Sequence, residues 1–351
     1  AVGSRYFGLY IIDVKDSSYE HVVSNPAIAS SLRSNFLQSL FYTSDGTLFI
    51  NAPGLSYTRV KPQPFKSLTV FTNEKGIVFK GSAMCFTEDA DKNFLWIGTN
   101  KYLVKWNRET GLCNYYTYLS DKAGAQKLRT IRRVATDAKN RIWAVGFGAG
   151  FGMLKPDGTF KYFVADSAGK NAALPGNEIY GLTKTRDNQF LISSSGGFCF
   201  FDPLTEKFQT FYEHPKLKSI AGSITLYATT DTQDNIWIGN RTGLYCYNKK
   251  LDSLIKIKLP KSASTKFIFT IAQDSSGNIY AAGRHGVYVV PKDSYSVERN
   301  ITKNDGLQGE YILGLLGDSD DNIWISGNRG LARYNYKKNS VVAFGAGEGV
   351  L

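Results

Sequence analysis

The chain repeats a phrase. Asp234-Asn235-Ile236-Trp237-Ile238-Gly239 runs on into Asn240-Arg241-Thr242-Gly243-Leu244-Tyr245, and Asp321-Asn322-Ile323-Trp324-Ile325-Ser326 into Gly327-Asn328-Arg329-Gly330-Leu331-Ala332. A looser copy, Ser276-Gly277-Asn278-Ile279-Tyr280, leads to Gly283-Arg284-His285-Gly286-Val287-Tyr288. Such recurrence means that a small unit, unable to bury its apolar face alone, stacks on copies of itself. Aligned on the large apolar residue, the anchors are Phe49, Trp96, Trp143, Leu191, Trp237, Tyr280 and Trp324, in steps of 47, 47, 48, 46, 43 and 44 residues. Six residues past the anchor stands Gly197, Gly243, Gly286 or Gly330; Gly54 comes after five, Gly152 after nine, and the second unit has Tyr102 there.

Each unit reads as four short strands. In residues 266–301, the runs Lys266 to Gln273, Asn278 to Ala282, Val287 to Pro291 and Tyr295 to Ile301 are broken by Asp274-Ser275-Ser276-Gly277 and by the Gly283 to Gly286 turn. Short β-rich runs split by Gly/Asp/Asn turns are antiparallel hairpins, and no segment carries a sustained helical period with caps. The expected fold is therefore all-β, a β-propeller of four-stranded antiparallel blades. Residues 1–22 read as a half-blade, because Gly8-Leu9-Tyr10-Ile11-Ile12-Asp13 lines up with Gly243-Leu244-Tyr245-Cys246-Tyr247-Asn248 and Tyr19 to Val22 fills a fourth strand. Residues 23–351 then hold the seven anchored units, and Gly345 to Leu351 reads as a connection onward. Seven blades are favoured, with the half-blade belonging to a longer parent; an eight-bladed ring with one incomplete blade is the alternative.

At 351 residues with 42% hydrophobic content the chain can bury a large core, and 43 Tyr and Phe (21 plus 22) suit packing between sheets. No apolar run approaches membrane-spanning length. No signal peptide is visible, as in a mature or trimmed secreted domain. The net charge of +12 is dispersed, without a basic run or a recognition-helix pattern, so nucleic acid is not expected and an acidic sugar or sulfated polymer suits it better. Cys85, Cys113, Cys199 and Cys246 all fall in strands and are expected to be buried free thiols.

Because strands alternate in direction, the loops joining second to third strands share a face with the loops joining blades, and loops on a rigid scaffold carry binding. That face collects Asn100, Asn240 with Arg241, Arg284 with His285, and Asn328 with Arg329, together with residues 146–151 and 193–196. The inter-blade loops 119–130, 165–178, 212–223, 259–266 and 302–310 join them there. Arg241, Arg284 and Arg329 hold matching positions in three successive units and are expected to line an arc; a guanidinium fork suits carboxylates, sulfates and sugar hydroxyls. The Asp-rich turns at 89–93, 137–140, 231–235, 274–278 and 318–322 belong to the opposite face and read as hairpin turns rather than calcium loops.

Gly146-Phe147-Gly148-Ala149-Gly150-Phe151-Gly152 mimics a phosphate loop, but no helix and no Lys-Ser/Thr follow it. His21, His214 and His285 are the only histidines and are widely separated, so no zinc site, no other metal site and no cofactor are expected. No Gly-x-Ser-x-Gly is present, and no carboxylate pair is singled out for glycoside hydrolysis.

The pattern Asp-x-x-(Gly/Asp)-Asn-Ile-Trp-Ile-Gly…Gly-Leu-x-x-Tyr-Asn, fullest at 231–248 and 318–335 and weaker at 137–157 and 274–290, resembles the two-component regulator propeller repeat. Asn304-Asp305-Gly306-Leu307 is similar to that family's inter-blade loop, while the units at Phe49 and Leu191 have lost the Trp. The resemblance implies the periplasmic or otherwise extracytoplasmic sensor region of a hybrid two-component histidine kinase, of the kind common in Bacteroidetes-type bacteria. It implies a non-catalytic role in sensing an oligosaccharide. The protein partners it implies are a second propeller or immunoglobulin-like domain of the same parent, and a second copy of that parent in a homodimer. The family fixes no universal ligand residues, so none is carried over. Two other readings are a secreted carbohydrate- or protein-binding propeller without a kinase, and an enzyme, since the repeat is also similar to that of streptogramin lyase propellers, which use Mg and a His base.

Overall fold

The structure, a computed structural model, describes residues 2–4, 6–12, 18–25, 32–43, 47–52, 54–59, 71–79, 82–116, 130–146, 150–165, 174–260 and 265–345. Apart from single helical turns at Lys218–Ala221 and Lys303–Asp305, the elements among them are short strands. Every ladder between them is antiparallel, so the chain folds as the β-propeller expected. None of the described helices is long and apolar enough to cross a membrane.

The chain divides into two compact units, Ser67–Gly345 and Ala1–Lys66 with Ala346–Leu351. The expected half-blade and the unit anchored at Phe49 both fall in the second of these. Its first sheet holds the expected pair Gly8–Ile12 and Tyr19–Val22, with a further short strand, Val2–Ser4, ahead of them. Among the described residues the sheet around Phe49 has three strands, Ser39–Tyr42, Thr47–Ala52 and Gly54–Arg59; residues 60–70, where the fourth strand was expected, lie outside the described residues. Leu9, Leu32, Leu37, Leu48 and Ile50 form the core of this unit.

The larger unit holds six four-stranded sheets in chain order. Blade 1 spans residues 83–116, blade 2 131–163, blade 3 179–210, blade 4 225–257, blade 5 268–301 and blade 6 312–344. The first strand of each packs beside the first strand of the next. A two-stranded ribbon, Phe71–Thr72 with Val78–Phe79, precedes blade 1. The cores lie between sheets: Trp143, Phe151, Phe190 and Phe201 fill the space between blades 2 and 3, and Trp237, Leu244, Ile271 and Tyr288 that between blades 4 and 5. In blade 4 both middle strands, Ile236–Asn240 and Gly243–Asn248, are buried throughout, whereas the fourth strand, Ser253–Ile257, is partly exposed until its last residue. A sheet covered on both faces needs this continuous apolar reading in its middle strands.

The Asp-rich segments are hairpin turns, as their recurrence suggested. Asp231 N–H donates to Asn235 O at 3.0 Å and Asp234 N–H to Asp231 O at 3.1 Å. The fourth turn residue has positive φ in all five: Lys92, Asn140, Asp234, Gly277 and Asp321. Asn, Asp and Gly carry that backbone at low cost. All four cysteines are buried and unpaired.

Candidate functional site

Every blade of the larger unit breaks its ladder at the same place. The pairing of first and second strands skips one residue, leaving Met84, Arg132, Tyr180, Leu226, Phe269 and Leu313 unopposed. A β-bulge of this kind bends the strand and re-aims a side chain. Each lies at the start of a first strand, beside the end of the second: Ile268 pairs with Gly283, and Tyr311 O accepts the Asn328 N–H at 3.1 Å. Strand starts and second-to-third turns therefore share one rim.

Arginines and aromatic rings alternate along this rim. In blade 2 the Arg132 guanidinium lies 5.7 Å from the Tyr180 ring of blade 3. Tyr180 OH donates to Glu178 Oε2 at 3.0 Å. Burial and the Glu178 carboxylate push the Tyr180 phenol up, while the charges of Arg241 and Arg132 pull the other way, so the field of blade 4's Arg241 reaches this ring. Burial lowers the pKa of Arg132 despite the opposing pull of Tyr180. Arg241 lies 5.8 Å from the Phe267 ring of blade 5, and Arg284 covers the same ring at 5.2 Å. Arg284 also lies 5.7 Å from Tyr311 of blade 6, which contacts Phe269 at 5.3 Å. Arg241 and Arg284 are exposed, and among the described residues neither forms an ion pair. Each guanidinium lies within cation–π distance of a ring, a contact that leaves its N–H groups available to an acceptor.

Of the seven residues singled out from sequence, the structure brings Arg241 and Arg284 together over one ring. Arg329 is exposed but lies against Gly309, lining a small hollow with Leu307 and Ile312. His285 turns to Thr265, whose backbone N–H reaches its Nε2 at 3.2 Å. Asn240 is 1% exposed and its Oδ1 accepts from Thr242 N and Gly243 N, so it holds the hairpin. Asn100 Oδ1 accepts from Ser82 N at 3.2 Å in blade 1, and Asn328 is exposed beside Gly309. Residues 147–149 of the glycine-rich loop, and much of the loops 119–130, 165–178 and 259–266, lie outside the described residues.

Sequence reasoning missed Arg132, Glu178, Tyr180, Phe267, Phe269 and Tyr311. A signal was present: apolar residues opening the first strands stand three apart, as in Ile131/Val134, Ile179/Leu182, Ile268/Ile271 and Ile312/Leu315. Strict alternation would place them two apart; the extra residue is the bulge.

No protein-family model matches the chain, and no curated protein matches it. Among solved structures it is similar to the extracellular domain assigned to the hybrid two-component system BT3049 of B. thetaiotaomicron, with 17% identity and a TM-score of 0.41 over 99% of this chain and 57% of that one. It is also similar to a catalytically inactive virginiamycin B lyase from Staphylococcus aureus, solved with quinupristin, with 13% identity and a TM-score of 0.57 over 75% of this chain and 84% of that one. A third is PorZ, a surface component of the type-IX secretion system of Porphyromonas gingivalis, with 12% identity and a TM-score of 0.54 over 93% of this chain and 48% of that one. The chain spans roughly half the length of the extracellular domains it matches, 52% in one and 57% in another. The lyase and PorZ share the propeller fold with it.

Proposed function

We propose that this chain is a non-catalytic, extracytoplasmic ligand-sensing propeller of a hybrid two-component regulator, located in the periplasm, and that its rim binds an acidic oligosaccharide. The observation that carries the ligand class is the Arg241–Phe267–Arg284–Tyr311 ladder. Unpaired guanidinium edges suit carboxylates or sulfates, and the partly exposed Phe267 and Tyr311 rings beside them suit the C–H faces of a sugar. The Asp-Asn-Ile-Trp repeat supports the regulator reading, and in that reading a second propeller or immunoglobulin-like domain of the parent, and a second copy of it, are the partners.

The test is calorimetric titration with oligogalacturonates and chondroitin sulfate fragments, against neutral xylo-oligosaccharides. The acidic glycans are expected to bind, more weakly as salt rises, and to lose at least about tenfold in affinity in Arg241→Ala/Arg284→Ala, about 1.4 kcal/mol. Affinity unchanged in that variant would remove the rim from the reading.

A further inference from the structure

A second recess lies between blades 3 and 4, reached from the Asp-turn side through the turns at 185–189 and 230–236. It is a cleft of ≈ 450 Å³, within the usual range of small-ligand pockets. Phe200, Phe211 and Tyr247 supply aromatic surface in it. Tyr247 is held from two sides: its OH donates to Asp252 Oδ1 at 2.8 Å and lies 3.5 Å from His214 Nε2. The His214 ring meets Tyr247 and Phe211 edge-on, at 5.3 and 6.0 Å. Lys216 N–H donates to His214 Nδ1 at 3.3 Å, which leaves the hydrogen of a neutral ring on Nε2. That N–H is a donor at the cleft, with Tyr247 only at the far limit of its reach.

The charges around the cleft balance. Arg186 and Asp187 come from the blade 3 turn, and Asp234 and Lys249 from blade 4, giving two cations and two carboxylates. Gln189 and Gln209 add amides, each with a donor and an acceptor. This differs from the rim, where cations dominate. An ion would gain little from a balanced lining, and a purely apolar molecule would leave the amides and carboxylates without partners. Vicinal hydroxyls, which donate and accept side by side, match amide and carboxylate edges, while a pyranose C–H face matches the aromatic surface.

We infer that the blade 3–blade 4 cleft is a binding site for a small, neutral, polyhydroxylated ligand of mono- to disaccharide size, separate from the rim. The inference rests on the cleft alone and stands or falls independently of the sensor reading.

Saturation-transfer NMR on the intact chain with maltose, cellobiose and lactose, at concentrations up to about 10 mM, would reveal a Kd of about 1 mM. At least one of them is expected to receive transfer. The signal should fall at least about tenfold in Gln189→Ala/Gln209→Ala and in His214→Ala, and persist in Arg241→Ala/Arg284→Ala. Absence of transfer to all three sugars overturns the site. So does transfer that survives both cleft variants, or that the rim variant abolishes. The acidic glycans used for the rim should keep their affinity in the cleft variants, so either site can fail without the other.

Discussion

Trp237 Nε1 donates to Asp231 Oδ2 at 2.8 Å, across the turn that joins the first two strands of blade 4. The same carboxylate accepts the Asn235 backbone N–H and side-chain amide, at 2.9 and 3.0 Å. This explains why the repeat reads Asp, then Asn four residues on, then Trp six residues on. Blade 6 repeats it with Asp318, Asn322 and Trp324, and blade 2 with Asp137, Arg141 and Trp143. In blade 5 Tyr280 replaces Trp, and its OH reaches Asp274 Oδ2 at 2.8 Å. Blade 3 has Leu191 at the anchor and Thr185 at the turn, so donor and carboxylate are lost together. Trp237→Phe keeps most of the ring packing and strands one lobe of a buried carboxylate. It is expected to cost about 1–3 kcal/mol. Asp231→Ala strands the indole and turn amides and should cost at least as much. The double variant should cost less than the sum, as denaturant midpoints will show; strict additivity would mean the bond contributes nothing.

Two of these turn carboxylates, Asp137 and Asp318, make stability fall in acid. Burial pushes Asp137 upward, but the Trp143 indole, the Arg141 backbone N–H and the Arg141 guanidinium together outweigh it, so its pKa lies below the usual range. Asp318 is lowered in the same way: the Asn322 side chain and backbone N–H, and the Trp324 indole, overcome desolvation. A depressed folded pKa gives stability that is fully present above the unfolded value of about 3.9 and is lost as pH falls through the folded value. Urea midpoints should hold from neutral pH to about pH 5, then drop below about pH 4. Asp137→Asn should be less stable at neutral pH and show a shallower acid drop; a parallel curve would assign the acid loss elsewhere.

Gly197 and Gly243 hold the same place in the repeat, with φ of 121° and 141°, yet their surroundings differ. A Cβ on Gly197 would fall onto the Ala221 carbonyl oxygen, whereas one on Gly243 finds nothing nearer than Lys256 Cε at 3.8 Å. Both alanine variants carry backbone strain of about 1–3 kcal/mol. Gly243→Ala should stop there. Gly197→Ala must also displace the one-turn helix Lys218–Ala221, and its unfolding midpoint should fall clearly further. Equal losses would mean that backbone conformation alone sets the requirement.

The parts of the molecule legible from sequence are those where one side chain must meet one partner. Asp231 and Trp237 announce the turn and the strand it opens, and Gly243 marks the next. The rim was half legible. Arg241 and Arg284 stand out because the repeat aligns them, but Phe267 and Tyr311 lie just ahead of first strands, where no motif flags them. Arg132 and Tyr180 face the rim because a bulge re-aims them, and register is a pairing property that one strand does not display. The same limit hid Asn240, which looks like a surface ligand in the phrase Asn-Arg-Thr-Gly and is buried as a turn cap. The His214 cleft escaped notice because its walls come from two hairpin turns, two third strands and the segment 209–214 that leaves blade 3, brought together only by stacking of the sheets.

The buried thiols lead to a chemical prediction. Burial pushes Cys85 up to about 12 against the lowering effect of Arg133, and Cys246 up to about 12, with the Asp231 charge adding to it. Cys199, wholly enclosed between blades 2 and 3, is raised further. Cys113 is raised by burial as well. The thiolate is the reactive form. At about pH 8, a thiol of pKa about 12 carries on the order of a thousandfold less thiolate than an ordinary one near 8.5. Native protein mixed with an aromatic disulfide reagent should therefore release almost no thiolate over hours, and four equivalents once unfolded in guanidinium, matching the four cysteines. Such thiols would persist unpaired in an oxidising compartment, because pairing needs an exposed thiolate that the folded blades withhold. Rapid native labelling at any of the four would show that blade to be opening, and mass mapping of the adduct would say which.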